Sequence, residues 1–100
     1  MRNYGISAIK LNKSGTGVAE VFLHRYTREK AGSIGLQRGR PVKYAEVADL
    51  IARGDNVSVV RMSARCRHLE AADPVRLERG LQSHRGGLPT AALMDLPRYD

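Results

Sequence analysis

Cysteine occurs once, as Cys66, so no disulfide can close within these 100 residues. That excludes a small secreted scaffold held by bridges and makes the cytoplasm the expected compartment. Tryptophan is absent and phenylalanine occurs once, as Phe22, which leaves four tyrosines as the other aromatic residues. The core must therefore draw on Val, Leu, Ile and Ala, where a large aliphatic side chain contributes about 1.5 to 3 kcal/mol on full burial. Such a core is modest once chain entropy is subtracted, and a partner or a second copy could add to it. Nowhere do about 18 apolar residues run together, so no membrane helix is expected. Met1-Arg2-Asn3-Tyr4 leads into alternating residues and not into the apolar run of a signal peptide. Acids are scarce: ten Asp and Glu against seventeen Lys and Arg give a formal charge of +7 and a pI near 10.2. That balance favours anionic surfaces, nucleic acid first, through long-range attraction and counterion release. The competing explanation is genome base composition, which enriches arginine without any partner.

The length suits one domain, spanning 1–100. Its clearest passage is residues 41–62. Tyr44, Val47, Leu50 and Ile51 fall at helical spacing on one face, with Lys43, Glu46, Asp49 and Arg53 toward the other, the pattern of a helix on a sheet. Glu46 lies early, Arg53 late and Gly54 just beyond, the polarity set by the helix dipole and a left-handed cap. Asp55-Asn56 turns the chain into residues 57–62, the most strand-like segment. Upstream, residues 4–12 and 18–26 read as two strands joined through Lys13-Ser14-Gly15-Thr16-Gly17. The first loses its phase, since Ile6 and Ala8 would point opposite to Ile9 and Leu11; a bulge or burial on both faces reconciles this. Residues 27–40, with three glycines and four cations, read as a long basic loop carrying a short strand near 33–37. After residue 62 the pattern weakens. Residues 64–70 are expected to return as the second arm of a hairpin, 74–78 to form another short strand and 80–87 to form a loop. The apolar tail 88–97 is expected to dock on the core with a turn of helix over 91–96.

The order strand, glycine hairpin, strand, long loop, then Lys43-x-x-Glu46-Val47-x-x-Leu50-Ile51 ending at Gly54, with Asp95-Leu96-Pro97 in the tail, resembles a small bacterial family classed only as a domain of unknown function. The resemblance implies a fold and carries no catalytic residue. The chain departs from the family pattern over 64–87, which is richer in arginine.

No constellation identifies a reaction. Cys66 lies between Arg65 and Arg67, with His68 two residues on, which suits a low-pKa thiol with a base or half a metal site. A zinc site would need His24 and His84 to complete it, and a half-buried structural thiol is the simpler reading. Gly32-Ser33-Ile34-Gly35 matches the Gly-x-x-Gly clamp of one class of single-strand binders but lacks its two flanking helices. Ser14-Gly15-Thr16-Gly17 lacks the Lys-Ser/Thr ending of a nucleotide loop. Ser63, Ser83 and His84 sit in no nucleophile elbow, and Glu20, Glu46 and Asp49 form no paired carboxylates.

The basic segments carry the functional signal. Residues 25–43 hold six cations against Glu29 alone, and 61–68 hold three arginines and no acid. If the loop folds over the strand bearing Arg61, these form one positive face, with Phe22 and Tyr26 as stacking surfaces for unpaired bases. The plain alternative buries those rings and leaves the arginines in solvent. The sequence thus predicts an α+β fold, a small, mostly antiparallel sheet of about four to five strands with one main helix packed on one face. It predicts a non-enzymatic basic module, with no catalytic residue, metal or cofactor, contacting nucleic acid phosphates through Arg28, Lys30, Arg38, Arg40, Arg61, Arg65 and Arg67. The alternative is an accessory module docking on an acidic protein. Nothing in the sequence sets the oligomeric state.

Overall fold

The computed structural model describes residues 2–15, 17–28, 34–62, 69–77, 81–85, 88–90 and 92–99. Among the described residues eight strands and one helix follow one another as β1 (Asn3–Leu11), β2 (Val18–Arg28), β3 (Ile34–Leu36), β4 (Arg40–Lys43), α1 (Tyr44–Ala52), β5 (Asn56–Met62), β6 (Leu69–Leu77), β7 (Leu81–Arg85) and β8 (Leu88–Thr90). They form one mixed sheet in the order β3-β2-β1-β5-β6-β7-β8, with β4 also on the outer edge of β2. The α+β class and the single main helix are as read from the sequence, whereas the strand count exceeds the expected four to five. Most pairs are antiparallel, but β1 and β5 run parallel, Tyr4 opposite Val57 and Ile6 opposite Val59. Because β4 also runs parallel to β1, the chain must cross over to reach β5, and α1 is that crossover. Among the described residues no helix is long and apolar enough to cross a membrane.

The two ends of α1 are built differently. At the start, Lys43 is extended and offers no side-chain cap. At the end, Gly54 adopts φ +88° and its N–H donates to Ile51 O, while Asp55 N–H donates to Leu50 O at 3.1 Å. These paired bonds satisfy carbonyls that the helix leaves open, and only glycine takes that backbone without strain.

Alternation divides the apolar residues between the two sheet faces. Val47 and Leu50 of α1 join Tyr4, Ile6, Ile9, Val21, Leu23, Val57, Val59 and Leu93 in the main buried cluster. Tyr26, Ile34 and Val60 form a smaller cluster, against which Leu36 and Ala71 pack. The phase change in β1 is a bulge: Ile6 faces Leu23 and Ala8 faces Phe22, so Ser7 is the extra residue. That shift returns Ile9 to the face of Ile6, and both are fully buried.

Several segments differ from the sequence reading. Residues 40–43, expected as loop end and helix entry, are strand β4 on β2. The short strand anticipated near 33–37 is β3. Residues 69–77 form one strand, with a register shift opposite Ser58 to Val60, where two pieces were expected. The glycine-flanked stretch 80–87, read as a loop, contains β7. Its inward positions are Leu81 and Ser83, and the serine hides the apolar alternation. Ser83 is nonetheless fully buried, its hydroxyl accepting the Leu93 N–H at 3.0 Å. The tail makes β8 and then a turn closed by Leu96 N–H to Leu93 O at 3.3 Å, not a helix. It is tied to β1 by Ile9 N–H to Pro97 O at 2.9 Å and Tyr99 N–H to Ile9 O at 3.1 Å.

Candidate anion-binding site

Both neighbours of β2 break register near His24, the first opposite Leu23 and Phe22 and the second opposite His24 itself. On one side lies the Ser7 bulge of β1. On the other, Gln37 N–H donates to Arg25 O while Arg40 pairs with Leu23, so Arg38 and Gly39 together stand opposite His24 alone. The His24 ring bridges the two breaks, with Nε2 at 2.8 Å from Ser7 Oγ and Nδ1 at 2.9 Å from Gln37 O. A carbonyl only accepts, so Nδ1 carries a proton, and in the neutral ring Nε2 accepts the Ser7 hydroxyl proton. Phe22 meets His24 edge-on at 5.2 Å between ring centroids. Gly39 closes over both rings: a Cβ there would lie 2.5 to 2.7 Å from atoms of His24 and Phe22, which explains glycine at this position.

This second break carries Arg38 onto a pocket of about 290 Å³. Arg2, Arg25, Arg38 and Arg40 line it together with Tyr4, Leu23, His24 and Gln37, and among the described residues no acid lines it. Each arginine is placed by backbone. Arg2 N–H donates to Asp55 Oδ1 at 3.1 Å and Arg2 O accepts the Asn56 N–H at 2.9 Å, which fixes the chain beside β5. Arg25 faces Tyr4 in the β1–β2 ladder. Arg40 faces Leu23, two residues from Arg25 on β2, so the two arginines share a sheet face. The Arg40 guanidinium also donates to Glu46 Oε2 at 2.8 Å, and both side chains are more than half exposed. Among the described residues no carboxylate pairs with the guanidinium of Arg2, Arg25 or Arg38. Three arginines without an ion-pair partner among the described residues thus line one small hollow, an arrangement suited to an anion.

Of the seven arginine and lysine positions expected from sequence, the structure brings Arg38 and Arg40 together. Arg28 ends β2 opposite Ile34, one residue out of phase with Arg25 and on the other face. Arg61 stands four residues along β5 from Val57, the partner of Tyr4, or about 13 Å down the sheet, and pairs in register with Glu70. Lys30, Arg65 and Arg67 lie outside the described residues, as do Cys66, His68, Ser63, Gly32 and Ser33. The described part of the loop, β3, does pack on Val60 of β5 and Ala71 of β6, while the merger of the two basic clusters turns on residues outside the described ones. Tyr26, offered as a stacking surface, is 5% exposed within the smaller core and presents no free ring face. Phe22 is half-buried against His24 and Tyr99. Gly35 is a mid-strand residue of β3 opposite Thr27. His24 has both ring nitrogens engaged within the sheet.

Arg2 and Arg25 were not among the expected contact residues. Arg25 was visible as part of the basic run, but its place depends on the β1–β2 register, which the Ser7 bulge resets. Arg2 carries no local signal, because the parallel β1–β5 pairing that positions it joins residues more than fifty apart in the chain. Comparison of the chain with models of protein families, with curated proteins and with solved structures gives no match. The likeness to the bacterial family therefore rests on the residues quoted above.

Proposed function

We propose that this small basic α+β protein is a non-enzymatic module that binds nucleic acid phosphates through the Arg2, Arg25, Arg38 and Arg40 pocket. The observation that supports this most is the convergence of three arginines with no carboxylate partner among the described residues. Guanidinium groups match phosphate oxygens in a planar two-point geometry and are the residues of choice for that contact. With Tyr26 buried, base stacking contributes little and binding is directed at the sugar-phosphate chain. Contact between these arginines and phosphate predicts that log affinity falls linearly as log salt rises.

The test is an amide NMR titration with short single-stranded and duplex oligonucleotides at low and physiological salt. Shifts at the amides of Arg2, Arg25, Gln37, Arg38 and Arg40 that weaken with salt support the reading. Binding that persists unchanged across the salt range refutes it, because released counterions are its main driving force. A second reading has its own observation, since Arg40 already holds the Glu46 carboxylate at 2.8 Å. Docking on an acidic protein through this same face predicts shifts with a glutamate-rich peptide and none with oligonucleotides.

A further inference from the structure

We infer that the pocket receives the terminal phosphate monoester of a nucleic acid strand in preference to an internal diester, an inference that rests on the phosphate-binding reading above. Three features of the hollow support it. Its volume, about 290 Å³, suits a compact headgroup and is at or below the lower limit of about 300 Å³ for sites that enclose larger ligands. Its charge is concentrated: Arg2, Arg25 and Arg38 all line this one hollow, where a track along a backbone would spread them. An internal diester brings one negative charge to that hollow, whereas a monoester brings about 1.5 to 2 at pH 7 and an additional oxygen to accept bonds. Attraction to fixed cations grows with ligand charge, so the geometry rewards the end of the strand.

The third feature is Tyr4. This side chain is 8% exposed and anchored in the main core, yet it lines the pocket. Among the described residues none bonds its hydroxyl, and none leaves a side-chain polar atom both sealed from solvent and unbonded. The hydroxyl therefore keeps its access to solvent, and a ring held by the core makes it a neutral donor of fixed position at the pocket. A donor fixed at one spot discriminates by position, which screened surface charge does not. Tyr4 thus sets the preference for the phosphate end, while the arginines supply the general attraction.

The experiment measures fluorescence anisotropy of one internally labelled single strand prepared with a 5′ phosphate, a 3′ phosphate or hydroxyls at both ends, with inorganic phosphate as competitor. The expected result is binding about tenfold tighter for one phosphorylated end, with inorganic phosphate competing. Tyr4→Phe keeps the ring in the core, and it is expected to bring the affinity for the phosphorylated strand to within about twofold of that for the unphosphorylated one. Arg25→Ala, at an exposed position, is expected to weaken all three strands. Equal affinity for the three strands, with salt dependence and sensitivity to Arg25→Ala retained, overturns recognition of the end and leaves the phosphate-binding reading standing. No binding of any strand at low salt overturns both.

Discussion

His24 joins the fold to the site, and replacing it with alanine tests that link. The substitution removes two hydrogen bonds, to Ser7 Oγ at 2.8 Å and Gln37 O at 2.9 Å, and the edge-on contact with Phe22. Each bond contributes about 0.5 to 1.5 kcal/mol net, and the lower half of that range applies where water can replace the partner, as at the partly exposed Gln37 carbonyl. The aromatic contact adds about 0.5 to 1.5 kcal/mol beyond the area it covers. His24→Ala is therefore expected to cost about 2 kcal/mol, which for a domain of this size lowers Tm by about 8 to 16 °C. His24→Phe keeps a ring under Gly39 and loses only the hydrogen bonds, so its loss should be about half as large. Ser7→Ala should cost about 1 kcal/mol or less. Thermal unfolding followed by circular dichroism gives all three values. Hydrogen exchange at Gln37, whose N–H donates to Arg25 O, gives the local consequence, with protection lost first at this amide in His24→Ala. A Tm within about 3 °C of the parent, with protection retained, refutes the reasoning and shows that the two breaks in register are held by the ladders alone.

Three further predictions follow from single contacts. Ser83→Ala leaves the buried Leu93 N–H without its acceptor, and chemical denaturation should show a loss of about 1 to 3 kcal/mol with the C-terminal tail released first in hydrogen exchange. Gly54→Ala forces a Cβ into the φ +88° cap of α1, with open space around it, so the cost is backbone strain of about 1 to 2 kcal/mol by the same assay. Tyr99 titrates above its ordinary value of 10.0, first because burial disfavours the phenolate and then because Glu20 opposes it by charge and accepts its hydroxyl at 3.4 Å. The folded state thus holds this proton more tightly than the unfolded chain, so the stabilising contribution is complete below pH 10 and is lost as pH rises through the raised value. Glu20→Gln should lower the Tyr99 midpoint in an absorbance titration of the phenolate, and an unchanged midpoint would leave burial as the whole cause.

The segments legible in the sequence are those where one face is apolar and local signals agree. The helix over Tyr44–Ala52, its stop at Gly54 and the strand at Val57 all follow from periodicity and cap chemistry acting over a few residues. The phase change in β1 was legible too, with a bulge as one of two ways to reconcile it, and the structure takes the bulge, which sets Ile6 and Ile9 on the same core. What was hidden depends on distant pairing. β4 and β7 have few apolar residues of their own, Val42 in one and Leu81 in the other among the described side chains, and they are strands because a neighbour offers an unpaired edge. The same cause explains the site. Charge density along residues 25–43 pointed to Arg38 and Arg40, yet it could not separate Arg25, which faces the pocket, from Arg28, which faces away. That distinction is one step of strand alternation, set by register and not by composition. Arg2 enters only through the parallel pairing of β1 with β5. A run of basic residues therefore states the sign of a partner, while the pairing of strands decides which of those charges act together. In this protein the break opposite His24 takes Arg38 out of the ladder and onto the hollow that Arg2, Arg25 and Arg40 also line.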